Sequence, residues 1–439
     1  MIAAGPQQDS ADFSETACLD SKARSTVARV LLIGAVLPWT LAVTALRATR
    51  LPNDFSTEHW FIDYRFGLVK RGLVGSLVSL ATASLRTQPT EQLVAVLSVG
   101  IFVFFCVVLL YVGLRVIRQS QWSTAAILSV LAFFSSPFVV MSAHLIGYYD
   151  NIVIILGVVS IALLLRGKSW SAASLQVVAM LVHENALLVI FPAFCFSWFL
   201  AGSRMRSEGS RASIWPLVAP LGTFFALALS QGLSSNHLEQ ALTEYLSTYP
   251  FIERSIRSVR VPHWITITFL ESYSLHQGKF LGRILSQSML GLVLPSTLAI
   301  LATAFDAYRI RVVSWATLIV LGACLAPQMM HLVAWDTARI WTYSILDVFL
   351  VLWVCAEVVP TRPQSSEFAK LGCLIALVLN AAELTPLMDG LRDHFELQTR
   401  LLLYTPVLAT ALIAILREEL VPLRRAFAID IPSGGRPPY

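Results

Sequence analysis

The stretch FIDYRFGLVKRGLVG, residues 61–75, gathers Asp63, Arg65, Lys70 and Arg71 among aromatics and glycines. Arginine presents a planar fork that meets two phosphate oxygens at once, so Arg65, Lys70 and Arg71 suit the phosphate of a lipid-linked substrate. Gly67, Gly72 and Gly75 would let backbone approach it closely. The same Lys70 and Arg71 would equally anchor an interfacial helix on lipid headgroups. Asp63 is either an ion-pair partner of these cations or a general base that takes a hydroxyl proton. Asp54 follows Pro52-Asn53 and reads as a turn residue, with catalysis as its second reading.

Three further segments carry chemistry-bearing residues. In GYYDN, Asp150 is placed to cap the next helix, or to bring a second acid to the site. In MLVHENALLVIFP, His183 and Glu184 interrupt a long apolar run, where a titratable pair must be buried in protein or face a wet cavity. In MMHLVAWDTARIW, Asp336 and Arg339 stand three apart, the spacing of a same-face helical ion pair. His331 and Trp335 beside them fit a carbohydrate or phosphate pocket. His183-Glu184 lacks the second histidine of a zincin, and there is no Walker loop, GxSxG or CxxC pair.

The elements that position these residues must be membrane helices. The chain has 439 residues, is 56% hydrophobic and only 13% charged, with 24 Phe and 11 Trp, and its mean hydropathy is +0.69. A polytopic all-α bundle is the class that fits. The net charge of +5 reads as topology bias and not as nucleic-acid binding. Apolar runs predict twelve spans near 27–47, 92–114, 122–142, 152–166, 171–186, 187–202, 214–232, 284–305, 312–331, 341–359, 370–382 and 401–417. The six cysteines read as small core hydrophobes.

Residues 71–87 decide the orientation. If they lie on or dip into the outer surface instead of crossing, every short inner loop carries at least two cations, from Arg115 and Arg118 through Arg166 and Lys168 to the Arg-rich tail. We therefore expect an interfacial or re-entrant helix with Leu73, Val74, Leu77, Val78 and Leu80 on one buried face. Residues 1–26 read as a disordered cytoplasmic tail, 27–417 as the transmembrane domain with outer loops 48–91 and 233–283, and 418–439 as a short basic cytoplasmic tail. All the polar segments above then fall on the outer side.

A first outer loop that carries an acid and leads into an interfacial helix resembles the GT-C class of membrane glycosyltransferases. DYRFGLVKRGLVG, YYDN, VHENALLVIFP and WDTAR also resemble motifs of bacterial membrane proteins of surface-polysaccharide assembly, including the polymerase type, over residues 27–345. The resemblance implies a polyprenyl-phosphate-linked sugar donor, a glycan or lipid acceptor, no nucleic acid, and a bacterial inner membrane with both termini cytoplasmic. It implies catalysis by Asp63, with Asp54 as rival, and binding by Arg65, Lys70, Arg71, Asp150, His183, Glu184, His331, Asp336 and Arg339. It also admits a divalent metal, although no adjacent Asp-Glu pair is present in the first loop. A flippase or transporter for lipid-linked saccharide, and a non-catalytic assembly protein, are the alternatives. The one-sided placement of the polar residues argues against transport.

Overall fold

The computed structural model describes residues 30–87, 89–207, 213–232, 237–308, 310, 314–359, 366–383 and 393–427. The expected tail at 1–26 lies outside them. Among the described residues every regular element is a helix. The first half of the chain forms α1 (Val30–Leu46), α2 (Asp54–His59), α3 (Gly72–Ser84), α4 (Glu91–Gln119), α5 (Thr124–Phe134), α6 (Pro137–His144), α7 (Asp150–Leu165), α8 (Ser169–Val182), α9 (Ala186–Val189), α10 (Phe191–Ser207) and α11 (Trp215–Gly232). Six short helices follow: α12 (His237–Leu246), α13 (Pro250–Glu253), α14 (Ile256–Val259), α15 (Val261–Thr266), α16 (Phe269–His276) and α17 (Phe280–Ile284). The chain then forms α18 (Gln287–Ala307), α19 (Trp315–Leu325), α20 (Thr337–Val358), α21 (Glu367–Ala382) and α22 (Leu397–Phe427).

A helix stands under each of the twelve apolar runs, but they differ in reach. Six stretches are long and apolar enough to cross a membrane: Glu91–Gln119, Thr124–His144, Met289–Ala307, Trp315–Leu332, Thr337–Val358 and Leu397–Glu418. α1, α3, α7, α8, α10 and α11 are apolar but shorter. α22 continues to Phe427, so the segment after 417, expected as a tail, begins as helix. Pro137, with no N–H to donate, starts α6 after a Ser135-Ser136 break and splits one apolar run into two helices.

The core lies around α5 and α20, whose residues are buried almost end to end. Phe133 and Phe349 stack between them at 3.7 Å. Polar links fix the surrounding helices. Asn380 on α21 donates to Ala132 O, Ser135 and Ser296 at 3.0–3.2 Å, and such links are worth about 0.6 kcal/mol each between membrane helices. α4 turns Val96, Val103, Phe104 and Val107 outward and α22 exposes Leu402, Leu412 and Leu416, as lipid-facing helices do.

α3 forms where the interfacial helix was expected and packs on α8, but its faces differ from the expectation. Val74, Gly75, Val78 and Thr82 are buried, whereas Leu77 and Leu80 are exposed. The reason is Gly75. A Cβ there would lie 1.9 Å from Ile62 O, so the glycine lets α3 press directly on the backbone before Asp63 and fixes which face points inward. The segment expected as the outer loop 233–283 is not irregular where it is described: α12–α17 fold over the same end as α2 and α3, and Thr268 with Glu271 forms a capping box on α16.

Two predictions follow from this packing. Gly75→Ala should cost about 1–3 kcal/mol, the usual range for overpacking, read as a lower Tm of the detergent-solubilised protein. In a single-cysteine background, a cysteine at exposed position 271 should react with an impermeant reagent from outside and one at 168 should not; the reverse pattern inverts the topology.

Candidate functional site

The polar residues at the α2–α3 end resolve into three clusters. In the first, Asp63 is buried and its side chain caps the short 3-10 turn Tyr64–Phe66 by accepting from Arg65 N at 3.1 Å. Arg65 Nε donates to both carboxylate oxygens at 2.8 and 2.9 Å, its Nη2 lies 2.7 Å from Oδ2, and Ser79 of α3 donates to Oδ2 at 2.9 Å. The guanidinium also lies 4.4 Å over the ring of Tyr245. Both oxygens of Asp63 are therefore engaged, and the pair fastens the loop to α3 and α12.

The second cluster centres on Arg71. This residue takes a left-handed backbone, φ 61°, at the N-cap of α3, a conformation costly for a side chain with a Cβ. It donates through Nη2 and Nε to Glu184 at 2.9 and 3.4 Å, and through Nη1 to His59 Nε2 at 2.8 Å. His59 Nδ1 lies 2.6 Å from Phe55 O, so its proton sits on Nδ1 and Nε2 is the acceptor. Burial, then the Arg71 charge, hold His59 well below the usual histidine range, consistent with a neutral ring. His183 Nδ1 is 3.1 Å from Glu184 and 3.2 Å from the N–H of Asn185. With the proton on Nδ1 it donates to the carboxylate; without it, it accepts from the amide. Lys70 is buried and its Nζ donates to Ile267 O at 2.7 Å. Burial brings its pKa down to about 8, with Arg71 adding to the shift and Glu184 opposing it.

The third cluster joins distant helices. Asp150 opens the first turn of α7 but is not its cap. Its carboxylate accepts from Arg339 Nη2 at 2.7 Å to each oxygen, from Tyr343 at 2.6 Å and from Asn185 Nδ2 at 2.7 Å. Asp336 caps α20 by accepting from Arg339 N at 3.3 Å and stands 3.8 Å from the guanidinium. The turn His183-Glu184-Asn185 links the clusters, since Glu184 holds Arg71 and Asn185 holds Asp150.

The remaining expected residues stand apart. His331 is fully buried and neither ring nitrogen has a hydrogen-bond partner; its carbonyl accepts from Arg283 at 3.1 Å. Asp54 opens α2 and lines a separate polar pocket. Sequence reading missed His59 and Tyr343, and gave Asn185 only as the third polar residue interrupting the apolar run, with no role in the site. Among the described residues no three His, Cys, Asp or Glu side chains gather closely enough to hold a metal ion.

Beside the second cluster opens a cleft of about 100 Å³. Lys70 and Glu184 line one part of it, and Phe224, Leu227 and Phe269 of α11 and α16 line another. It offers a cation next to an apolar wall. No family model, curated protein or solved structure matches the chain.

Asp150→Asn should leave buried Arg339 with only the more distant Asp336 as counter-ion, at a cost of up to about 3–5 kcal/mol. Arg65→Gln removes a half-exposed guanidinium, so water can take its place beside buried Asp63, which keeps Ser79 and a backbone N–H; it should cost less, about 1–3 kcal/mol. Thermal unfolding of both proteins in detergent checks the order; equal shifts would remove the Asp150 junction as the main anchor.

Proposed function

We propose that the chain is a membrane glycosyltransferase of surface-polysaccharide or glycan assembly, acting at the outer face of a bacterial inner membrane on a sugar carried by a polyprenyl-phosphate-type lipid. In this reading the twelve apolar runs cross the bilayer, α3 lies at or dips into the outer surface, and both termini are cytoplasmic. The observation that carries it is the cleft, where buried Lys70 stands beside Glu184 and against an apolar wall. A lipid phosphate needs both kinds of surface at once: cations for its oxygens and an apolar wall for its chain.

The chemistry is a displacement. An acceptor hydroxyl oxygen bonds to the anomeric carbon, the bond from that carbon to the phosphate oxygen breaks, its electron pair leaves on the phosphate, and the hydroxyl proton passes to that departing phosphate. Lys70, with Arg71 behind it, stabilises that charge, the largest contribution a site of this kind makes. Arg71 is already paired with Glu184 and His59, which hold it in place. Asp63, with both oxygens engaged by Arg65 and Ser79, has the role of locking the loop that carries these cations.

Transport of the same lipid-linked saccharide is the second reading, and one observation favours it. Polar groups are not confined to one end of the bundle. At the opposite ends of α4 and α20, Arg115 pairs with Glu357 at 2.6 Å and, with Arg166 and Trp353, lines a cavity of about 450 Å³. Between the ends, Asp347 of α20 is fully buried with neither carboxylate oxygen hydrogen-bonded, a feature of proton-coupled carriers.

The test is binding of a fluorescent prenyl phosphate to the purified protein, followed by sugar transfer and proton-coupled uptake in proteoliposomes. Arg71→Gln and Lys70→Met should each weaken binding at least tenfold. Affinity should fall as pH rises through about 8, where Lys70 loses its proton. Lys70→Arg, whose charge persists, should flatten that fall. Unchanged binding in both charge-removing variants overturns the phosphate site; uptake without transfer replaces the enzyme by the carrier.

A further inference from the structure

The face of α2 that carries Glu58 borders a different pocket, of about 190 Å³, lined also by the first turn of α4, by α13 and by the Arg254-Ser255 link that follows it. Glu58 is 1% exposed. Its Oε1 accepts from Ser255 Oγ at 2.6 Å, while Oε2 has no partner. A buried polar atom left unpaired costs about 1–3 kcal/mol, so an orphan lining a cavity marks where a donor from outside the chain would fit. The geometry points to a saccharide subsite here, in which a neutral, hydroxyl-rich sugar donates a hydrogen bond to Glu58 Oε2 and packs a ring face on Phe251.

The charge on the walls selects the ligand. Asp54 and Glu91 stand with Glu58, against Arg254 alone, so a phosphate is repelled where the Lys70 cleft would attract it. Burial, with Asp54 adding to it and Ser255 opposing it, pushes Glu58 up to about 7. A carboxyl poised there serves a hydroxyl as acceptor or donor, which a sugar can use in either sense. Phe251 gives the pocket its apolar side, and its ring is held by Phe61 at 5.2 Å and Tyr249 at 5.8 Å.

The placement gives the subsite a task. Glu58 and His59 are neighbours on α2, and His59 accepts from Arg71. The pocket is thus joined to the Lys70 cleft through His59, Arg71 and Glu184. The subsite would hold the acceptor sugar of the proposed transfer, and in that respect it rests on that reading.

The experiment is saturation-transfer NMR on the purified full chain with maltose, cellobiose, lactose and chitobiose as probes, and spermidine as a cationic competitor. At least one disaccharide should bind, and Phe251→Ala and Glu91→Gln should each weaken it at least tenfold. Because Phe251 also packs on Phe61, Glu91→Gln, at an exposed position on the first turn of α4, keeps the test valid if Phe251→Ala fails to fold. Silence from all four sugars, binding indifferent to Glu91→Gln, or displacement by equimolar spermidine would each overturn the subsite. Fluorescent prenyl-phosphate binding is measured in the same preparations. If it persists while the sugars fail, the acid pocket alone is wrong; if it is lost while a sugar binds, the lipid-phosphate reading is wrong and the subsite stands.

Discussion

A carboxylate buried at the end of a membrane bundle needs its positive partner held at hydrogen-bond distance, and Asp150 meets that need with Arg339, Tyr343 and Asn185 together. Those three residues come from α20 and from the turn between α8 and α9. The ion pair therefore sets the height of α20 against α7 and the position of that turn. The second cluster hangs on the result: Glu184 is placed by the turn, Arg71 by Glu184, and the start of α3 by Arg71. A single desolvated pair of this kind contributes little net stability, but breaking one side of it is expensive. Its value lies in allowing one arrangement and penalising the rest.

The loop at 61–75 shows how the same logic distributes its cations. None of the three is left to solvent alone. Arg65 is spent on Asp63 and the Tyr245 ring, Arg71 on Glu184 and His59, and Lys70 on a backbone carbonyl. Lys70 has the weakest hold, a single hydrogen bond and, among the described residues, no ion pair, and it lines the cleft. A substrate anion would find the least competition there, while the two arginines give a rigid frame around it.

What the sequence disclosed, and what it hid, separates along sequence distance. Helical positions were legible because apolar runs and proline breaks act locally, and all twelve runs carry helices. The Asp336–Arg339 spacing likewise pointed to a local contact, which survives at 3.8 Å. Asp150 was legible as a polar helix start, but its partner Tyr343 lies 193 residues away, and no local pattern encodes that. Glu58 and His59 sit inside an ordinary short helix, so nothing in their spacing sets them apart. Leu77 and Leu80 of α3 were expected to be buried because leucines usually are; the close approach of Gly75 to Ile62 turned the helix the other way.

The junction at Asp150 also imposes an order on biogenesis. Arg339 follows Asp150 by 189 residues, which at about 5–20 residues per second is a delay of roughly 10–40 s between the synthesis of the acid and of its counter-ion. Throughout that interval α7 and α8 are already made, with a carboxylate at the helix end that nothing yet neutralises. The nascent chain must keep that end at the aqueous border, or sheltered in the insertion machinery, until α20 arrives. Final docking of the early helices is thereby deferred to a late event in translation.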